Sequence, residues 1–308
     1  MKKLMIHAIF VFCVLSFGAE YWVNASVGSE ENDGSEMHPW LYISTAITAA
    51  ATTYDGEDIV HLSGVFSIDK DPGLVREDKD KNWNSGLNIR QSVKLVGEDP
   101  LTTIVQAADS FDEDYITWRI FYIRNINTST NIDVKFENMT IRYGRGYPSG
   151  GIYALLSRSG SKLTIKNCSI TDNHFRDSTG VYRGGSAVCC TGDLEIKNSL
   201  IMDNKNEIES VYYWNGCAGV FWDPATSYDE CIIENTVFLR NKSFQSGGAL
   251  CIKALGSSAP YPIYTTKIKN CTFSHLGWRA RQSGRQDSPG IRDRLPGFQH
   301  QKVALADF

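Results

Sequence analysis

Two aspartates stand at the same place in two copies of one pattern. Asp172 falls in ITDN and Asp203 in IMDN, each directly before an asparagine and 31 residues apart. If the copies stack as neighbouring strands, the carboxylates lie about 4.8 Å apart. That spacing could hold a metal ion or serve catalysis, or both groups could simply face water. The other carboxylates of the pattern (Glu137, Glu195 and Glu234) are scattered. Oxygen ligands for a hard cation are concentrated elsewhere, in residues 67–86, SIDKDPGLVREDKDKNWNSG, which offer Asp69, Asp71, Asp78 and Asp80. The spacing lacks the order and the turn glycine of an EF-hand loop, and interspersed Lys and Arg offset the charge. A solvated loop is therefore the expectation, with Ca²⁺ as the only cofactor alternative. Residues 109–115, DSFDEDY, are read the same way, and the two acidic loops are expected side by side.

A third set is aromatic. Tyr147, Tyr182, Trp214 and Phe244 each precede a glycine or glycine pair by two or three residues, and Arg145, Arg183, Tyr212, Tyr213 and Trp222 lie nearby. Stacked in successive coils, these rings would form a ladder able to cover sugar C–H faces, while arginine binds hydroxyls or carboxylates. Tyr147, Tyr182, Arg183, Trp214 and Phe244 are the candidate ligand-binding residues. Packing of the rings on one another is the alternative.

These positions recur because the chain repeats. Residues 163–173, LTIKNCSITDN, reappear as VKFENMTIRY (134–143), LEIKNSLIMDN (194–204), IIENTVFLRN (232–241) and TKIKNCTF (266–273). The marker asparagines Asn138, Asn167, Asn198, Asn235 and Asn270 are separated by 29, 31, 37 and 35 residues. Such a period indicates stacked structural repeats. Alternation of apolar and polar residues, rich in Val, Ile, Thr and Phe, indicates strands. The fold class is all-β: a right-handed parallel β-helix, a single-stranded solenoid. Asparagine tolerates the left-handed bend between two faces, so the five form an expected Asn ladder at one corner. Residues 56–66 and 93–106 read as the first coils. Ile43, Ala46, Ile47 and Ala50 share one face of a helix that would cap the open first coil.

Residues 1–19 have the basic start, apolar core and small closing residues of a secretory signal peptide. The core is too short for a permanent anchor, and no later stretch reads as a transmembrane helix. Residues 20–275 form the solenoid. Residues 276–308 lack strand alternation and hold five arginines, so they read as a non-repeat tail, disordered, frame-shifted or truncated. The formal charge is −4. Two leader lysines and a surplus of three cations in the last 33 residues leave about −9 on residues 20–275, which excludes a nucleic-acid partner. Seven cysteines follow the leader, an odd number with no zinc spacing, and are expected as buried thiols.

The pairing of Φ-x-x-N (residues 170–173, 201–204 and 238–241) with GGA-Φ (residues 247–250; looser at 184–188, broken at 216–220) resembles the repeat of polymorphic outer-membrane proteins and related bacterial β-helix proteins of the pectate-lyase-like fold. The resemblance covers residues 20–275. It implies secretion or display at the outer membrane or cell surface, with adhesion or glycan binding as function and a polysaccharide or host-surface glycan as partner. β-Helices also host polysaccharide lyases and hydrolases, the alternative here. The paired-Asp and His-Gly signatures of polygalacturonases and the Asp-His motif of lyases are not found. A truncated, non-functional remnant is the third reading.

Overall fold

In a computed structural model the described residues are 18–51, 57–76, 85–112, 114–125, 130–157, 160–175, 184–207, 216–226, 228–243, 247–253, 264–274 and 277–278. Every strand pairing within the four sheets is parallel, and each sheet takes one strand from each successive coil. The chain is a parallel β-helix. One coil runs from Lys162–Lys166 in sheet 1 to Ser169–Thr171 in sheet 2, His174–Phe175 in sheet 3 and Val188–Thr191 in sheet 4. It then re-enters sheet 1 at Asp193–Lys197. Sheet 1 holds eight strands, sheet 2 seven, sheet 3 five and sheet 4 six.

Period-2 alternation decides which side chains go inside. In sheet 1, Val134 and Phe136 pair in register with Leu163 and Ile165, and these with Leu194 and Ile196. All six are buried. Sheet 2 adds Ile141, Ile170, Ile201 and Phe238, and the rings of Phe238 and Phe273 stack at 5.0 Å. The glycines ahead of sheet 4 let consecutive coils approach. A methyl group on Gly219 would lie 2.0 Å from the Ala249 carbonyl oxygen in the next coil.

Two corners separate sheets 1, 2 and 3. At the first, Asn138, Asn167, Asn198, Asn235 and Asn270 all take φ between 50° and 57°. Their amides bond along the axis: Asn167 Nδ2 donates to Asn138 Oδ1 at 2.7 Å, Asn235 to Asn198 at 3.1 Å and Asn270 to Asn235 at 3.2 Å. This corner lies at the surface. At the second corner the left-handed residue is Tyr143, Asp172, Asp203 or Arg240. Behind it is a second asparagine ladder, Asn173, Asn204 and Asn241, fully buried. Asn204 Nδ2 donates to the carbonyls of Ile170 and Met202, each at 2.9 Å, and to Asn241 Oδ1 at 2.9 Å. Its Oδ1 accepts from the Asn173 backbone at 3.0 Å. These amides satisfy backbone groups that the bend takes out of the sheet ladders.

The N-terminal end of the core is closed by Ile43–Ala50, a helix burying Ile43, Ala46, Ile47 and Ala50. No side chain caps it locally. The Asp71 carboxylate, 27 residues on, accepts the Ser44 N–H at 3.1 Å and places negative charge at the helix N-terminus. At the other end the repeat reaches Gly277–Trp278, which pairs with Lys242–Ser243. Residues 1–17, the bulk of the expected signal peptide, and 279–308, most of the tail, lie outside the described residues. Among the described residues no helix is long and apolar enough to cross a membrane.

The two asparagine corners differ in burial, so their substitutions separate. Asn204→Ala removes a side chain that satisfies several buried polar groups and costs about 3 kcal/mol. Asn198→Gly keeps the left-handed bend at the surface and costs no more than about 1 kcal/mol. Equilibrium denaturant unfolding of the two variants measures the difference.

Candidate functional site

The residue after each buried asparagine of the second corner begins a strand of sheet 3. His174, Lys205 and Lys242 follow Asn173, Asn204 and Asn241, and Arg145 follows Gly144 at the equivalent place. Register aligns them in one column: Arg145 with His174, His174 with Lys205, Lys205 with Lys242. Their neighbours Gly146, Phe175, Asn206 and Ser243 are buried. Four basic side chains therefore line up along the axis of an otherwise acidic protein, at about 4.8 Å per coil.

Glu207 binds the upper part of this column together. Its Oε2 accepts from Arg145 Nε at 3.1 Å and Nη2 at 3.0 Å, spanning two coils. Its Oε1 lies 2.7 Å from His174 Nδ1 and 3.4 Å from Lys205 Nζ. The Phe111 ring covers the imidazole at 4.1 Å between centroids. Burial pushes the Glu207 carboxyl up, but the His174 hydrogen bond and the charges of His174 and Arg145 outweigh it and bring it down to about 2. This carboxylate holds the imidazole orientation through Nδ1 and neutralises part of the column. Lys205 is half-buried and Lys242 exposed.

In the sequence, the segment after each member of this column leads to the glycines ahead of sheet 4. Of the aromatic candidates, Tyr147 is described: its ring stacks on Phe175 at 5.9 Å and its carbonyl oxygen accepts a hydrogen bond from Arg119. Here ring packing on the next coil occupies the face that a sugar would need. Tyr182, Arg183, Trp214 and Phe244 lie outside the described residues, as do Tyr212 and Tyr213. Trp222, expected beside them, is instead in the core: it sits at an inward position of sheet 4, fully buried, with Nε1 donating to the Gly192 carbonyl at 2.7 Å. An aromatic pair does exist on the outer face of sheet 4, where Tyr122 and Tyr153 stack at 5.5 Å, with Cys189 next in the column and Phe221 beyond it. It is buried, with Arg119 over both tyrosine rings at 5.3 and 5.2 Å.

Asp172 and Asp203 occupy equivalent left-handed corner positions, as their shared motif requires. They are not a free pair. Arg240, the same position one coil further, donates Nε to Asp203 Oδ1 at 2.8 Å and Nη2 to the other oxygen. Asp172 Oδ2 accepts from Thr171 Oγ1 at 2.6 Å. A bidentate guanidinium fills the geometry that a shared metal would use. In the acidic loops, Asp71 is committed to Ser44 and, at 2.9 Å, to the Gly73 N–H, and the Asp69 carbonyl accepts from Arg76 at 2.9 Å. Asp78 and Asp80 lie outside the described residues. The two acidic loops do meet: Lys70 Nζ binds Asp109 Oδ2 at 2.7 Å and Ser67 donates to the same carboxylate. Among the described residues no three His, Cys, Asp or Glu side chains converge on a metal-sized site.

His174 and Glu207 were not among the candidates from the sequence. A signal for the column was present in Asn173-His174, Asn204-Lys205 and Asn241-Lys242, which repeat a basic residue after the same asparagine. Nothing in spacing marks Glu207, because it reaches Arg145 from 62 residues away.

Glu207 titrates low in the folded protein, so its stabilisation is complete above the unfolded-state value near 4.5 and is lost as pH falls towards about 2. Arg145, His174 and Lys205 are the basic groups facing it. Glu207→Gln leaves the buried Arg145 without its counter-charge and is expected to cost about 3 kcal/mol at neutral pH. The variant also loses this part of the acid-dependent fall in stability, read from thermal melts between pH 7 and pH 2.

No family model matches the chain, and neither a curated protein nor a solved structure is significantly similar to it.

Proposed function

We propose that this chain is a secreted or surface-displayed binding rod, a β-helix that holds an acidic glycan along the side where sheets 3 and 4 meet and acts in adhesion or glycan binding. One observation supports the reading above the others. The column Arg145, His174, Lys205 and Lys242 runs in register, and the stretches that follow its members in the sequence carry Tyr182, Arg183, Trp214 and Phe244. Arg145 is buried and, with His174, bound by Glu207, so Lys205 and Lys242 are the cations the column turns outward, and they suit a linear polymer with repeating carboxylate or sulfate groups. Each coil offers one more contact, so modest single contacts add along the chain. The leader at residues 1–19 supports export. The resemblance of the repeat to polymorphic outer-membrane proteins supports placement at the cell surface.

Incubation of the protein with acidic and neutral polysaccharides, with and without Ca²⁺, tests this by following retention on the polymer and release of new chain ends. The expected result is salt-sensitive retention on acidic polymers with no new ends, reduced about tenfold by Lys242→Gln or Trp214→Ala. New chain ends would replace the binding reading with a lyase or hydrolase. A folded protein retained on no polymer would remove the glycan.

A further inference from the structure

The glycine pair ahead of sheet 4 is broken in one coil. The coils before and after carry Gly184-Gly185 and Gly247-Gly248, whereas this one reads Gly216-Cys217. Register from Val188 to Val220 and from Val220 to Leu250 puts Gly185, Cys217 and Gly247 at one position of successive coils. Cys217 is fully buried, and its thiol donates to the Val220 carbonyl at 2.8 Å. Val220 pairs with Leu250 of the next coil, so the thiol lies beside the residue after it, Cys251. Cys251 is half-buried and turns its sulfur back towards the same corner, where a methyl group on Gly247 would lie 3.4 Å from it. The two thiols are in hydrogen-bond contact, and both pack with Phe221 on the outer face of sheet 4. Among the described residues Leu250–Ile252 is the end strand of that sheet, paired on one side. Strands at the end of a stack open most easily.

We propose that Cys217 and Cys251 are a modification site, at which a small-molecule disulfide oxidises the two thiols to a disulfide that staples the end strand of sheet 4 to the preceding coil. The half-buried Cys251 meets the oxidant first. Its thiolate attacks one sulfur of the reagent and displaces the other half as a thiolate, which takes the Cys251 proton. Cys217 Sγ then attacks Cys251 Sγ. The bond of the mixed disulfide breaks, and the second half of the reagent leaves with the Cys217 proton. Two protein thiols have been oxidised and one reagent disulfide reduced to two thiols. Burial holds the Cys217 thiol protonated, so it acts second, against a sulfur already beside it. The sulfurs have to close from hydrogen-bond contact to about 2.05 Å. The site does not rest on the glycan reading; an exported chain would meet the oxidising conditions it needs.

Oxidation of the reduced, folded protein with glutathione disulfide, then alkylation in denaturant and peptide mapping, tests the inference. The expected product is one linked peptide pair holding Cys217 and Cys251, present in more than about half of the molecules in an equimolar mixture of reduced and oxidised glutathione. Cys217→Gly restores the residue found in the neighbouring coils and should leave Cys251 as a glutathione adduct. Cys251→Ser should leave the buried Cys217 unmodified. Cys271→Ser, which removes the other half-buried thiol, should leave the yield unchanged. In denaturant the pairings should scatter over other cysteines. In the bridged protein, hydrogen exchange of the Leu250, Cys251 and Ile252 amides is expected to slow at least about tenfold. Free thiols at both positions after oxidation, a different partner for either, or the same pairing at the same yield in denaturant would overturn the proposal. Amide exchange unchanged by the bridge would overturn its role as a staple.

Discussion

The structure rests on one constraint: each strand must bond to the coil before it and the coil after it, so every coil has to bend at the same places. Parallel pairing at about 4.8 Å leaves no freedom to drift. A corner displaced by one residue would turn a whole strand inside out. The bends are held by residues with positive φ at two positions per coil, and at the first corner all five are asparagine. The cost of the left-handed conformation is small for asparagine, and its amide supplies an axial hydrogen bond in return. The second corner accepts Asp172, Asp203 and Arg240 at the bend because the asparagine behind each does the bonding, and it accepts Tyr143, followed by Gly144, because Asn173 of the next coil bonds the Gly144 N–H and the Ile141 carbonyl. Burial makes that second ladder the more consequential of the two, since backbone groups it satisfies have no water to turn to.

The same stacking explains the small residues. Just past the first corner, Cys168, Ser199, Thr236 and Cys271 each direct a hydroxyl or thiol to the carbonyl two residues back, at 3.3, 2.7, 2.9 and 3.3 Å. The position asks for a small side chain with a weak or strong donor, and cysteine meets it as well as serine. The seven described cysteines are free, and burial pushes the thiols of Cys168, Cys189 and Cys231 up to about 12. These three pack as small hydrophobic groups and stay protonated, far from the thiolate character that redox chemistry needs.

A solenoid built this way separates support from display. Outer positions of sheet 1 carry charges of both signs, and these pair from coil to coil, as Lys94 does with Glu137 at 2.9 Å and Lys267 with Glu234 at 2.5 Å. Exposed pairs of this kind add little stability each, but they leave few unbalanced charges on that face. The departure from balance is the basic column of sheet 3, which ends in the exposed Lys242. Any side chain placed on such a frame is held with little conformational freedom left to lose, which favours binding at a row of individually modest contacts.

The sequence alone determined the coil. The period of the asparagines, the alternation in each strand and the apolar face Ile43, Ala46, Ile47 and Ala50 are local patterns, and local patterns decide which residues face inward. It also placed Asp172 and Asp203 at equivalent corners, because equivalence follows from the repeat. What it left open was everything that depends on neighbours one or two coils away. Arg240 claims Asp203 from 37 residues on, Asp71 caps a helix 27 residues back, and Glu207 gathers Arg145 and His174. Trp222 lies among aromatic residues in the sequence, yet the two-residue alternation of its strand turns it into the core. A linear pattern fixes direction along one coil; only stacking decides which side chains of different coils meet, because the loops between them vary in length and the register that results is a property of the assembled sheets.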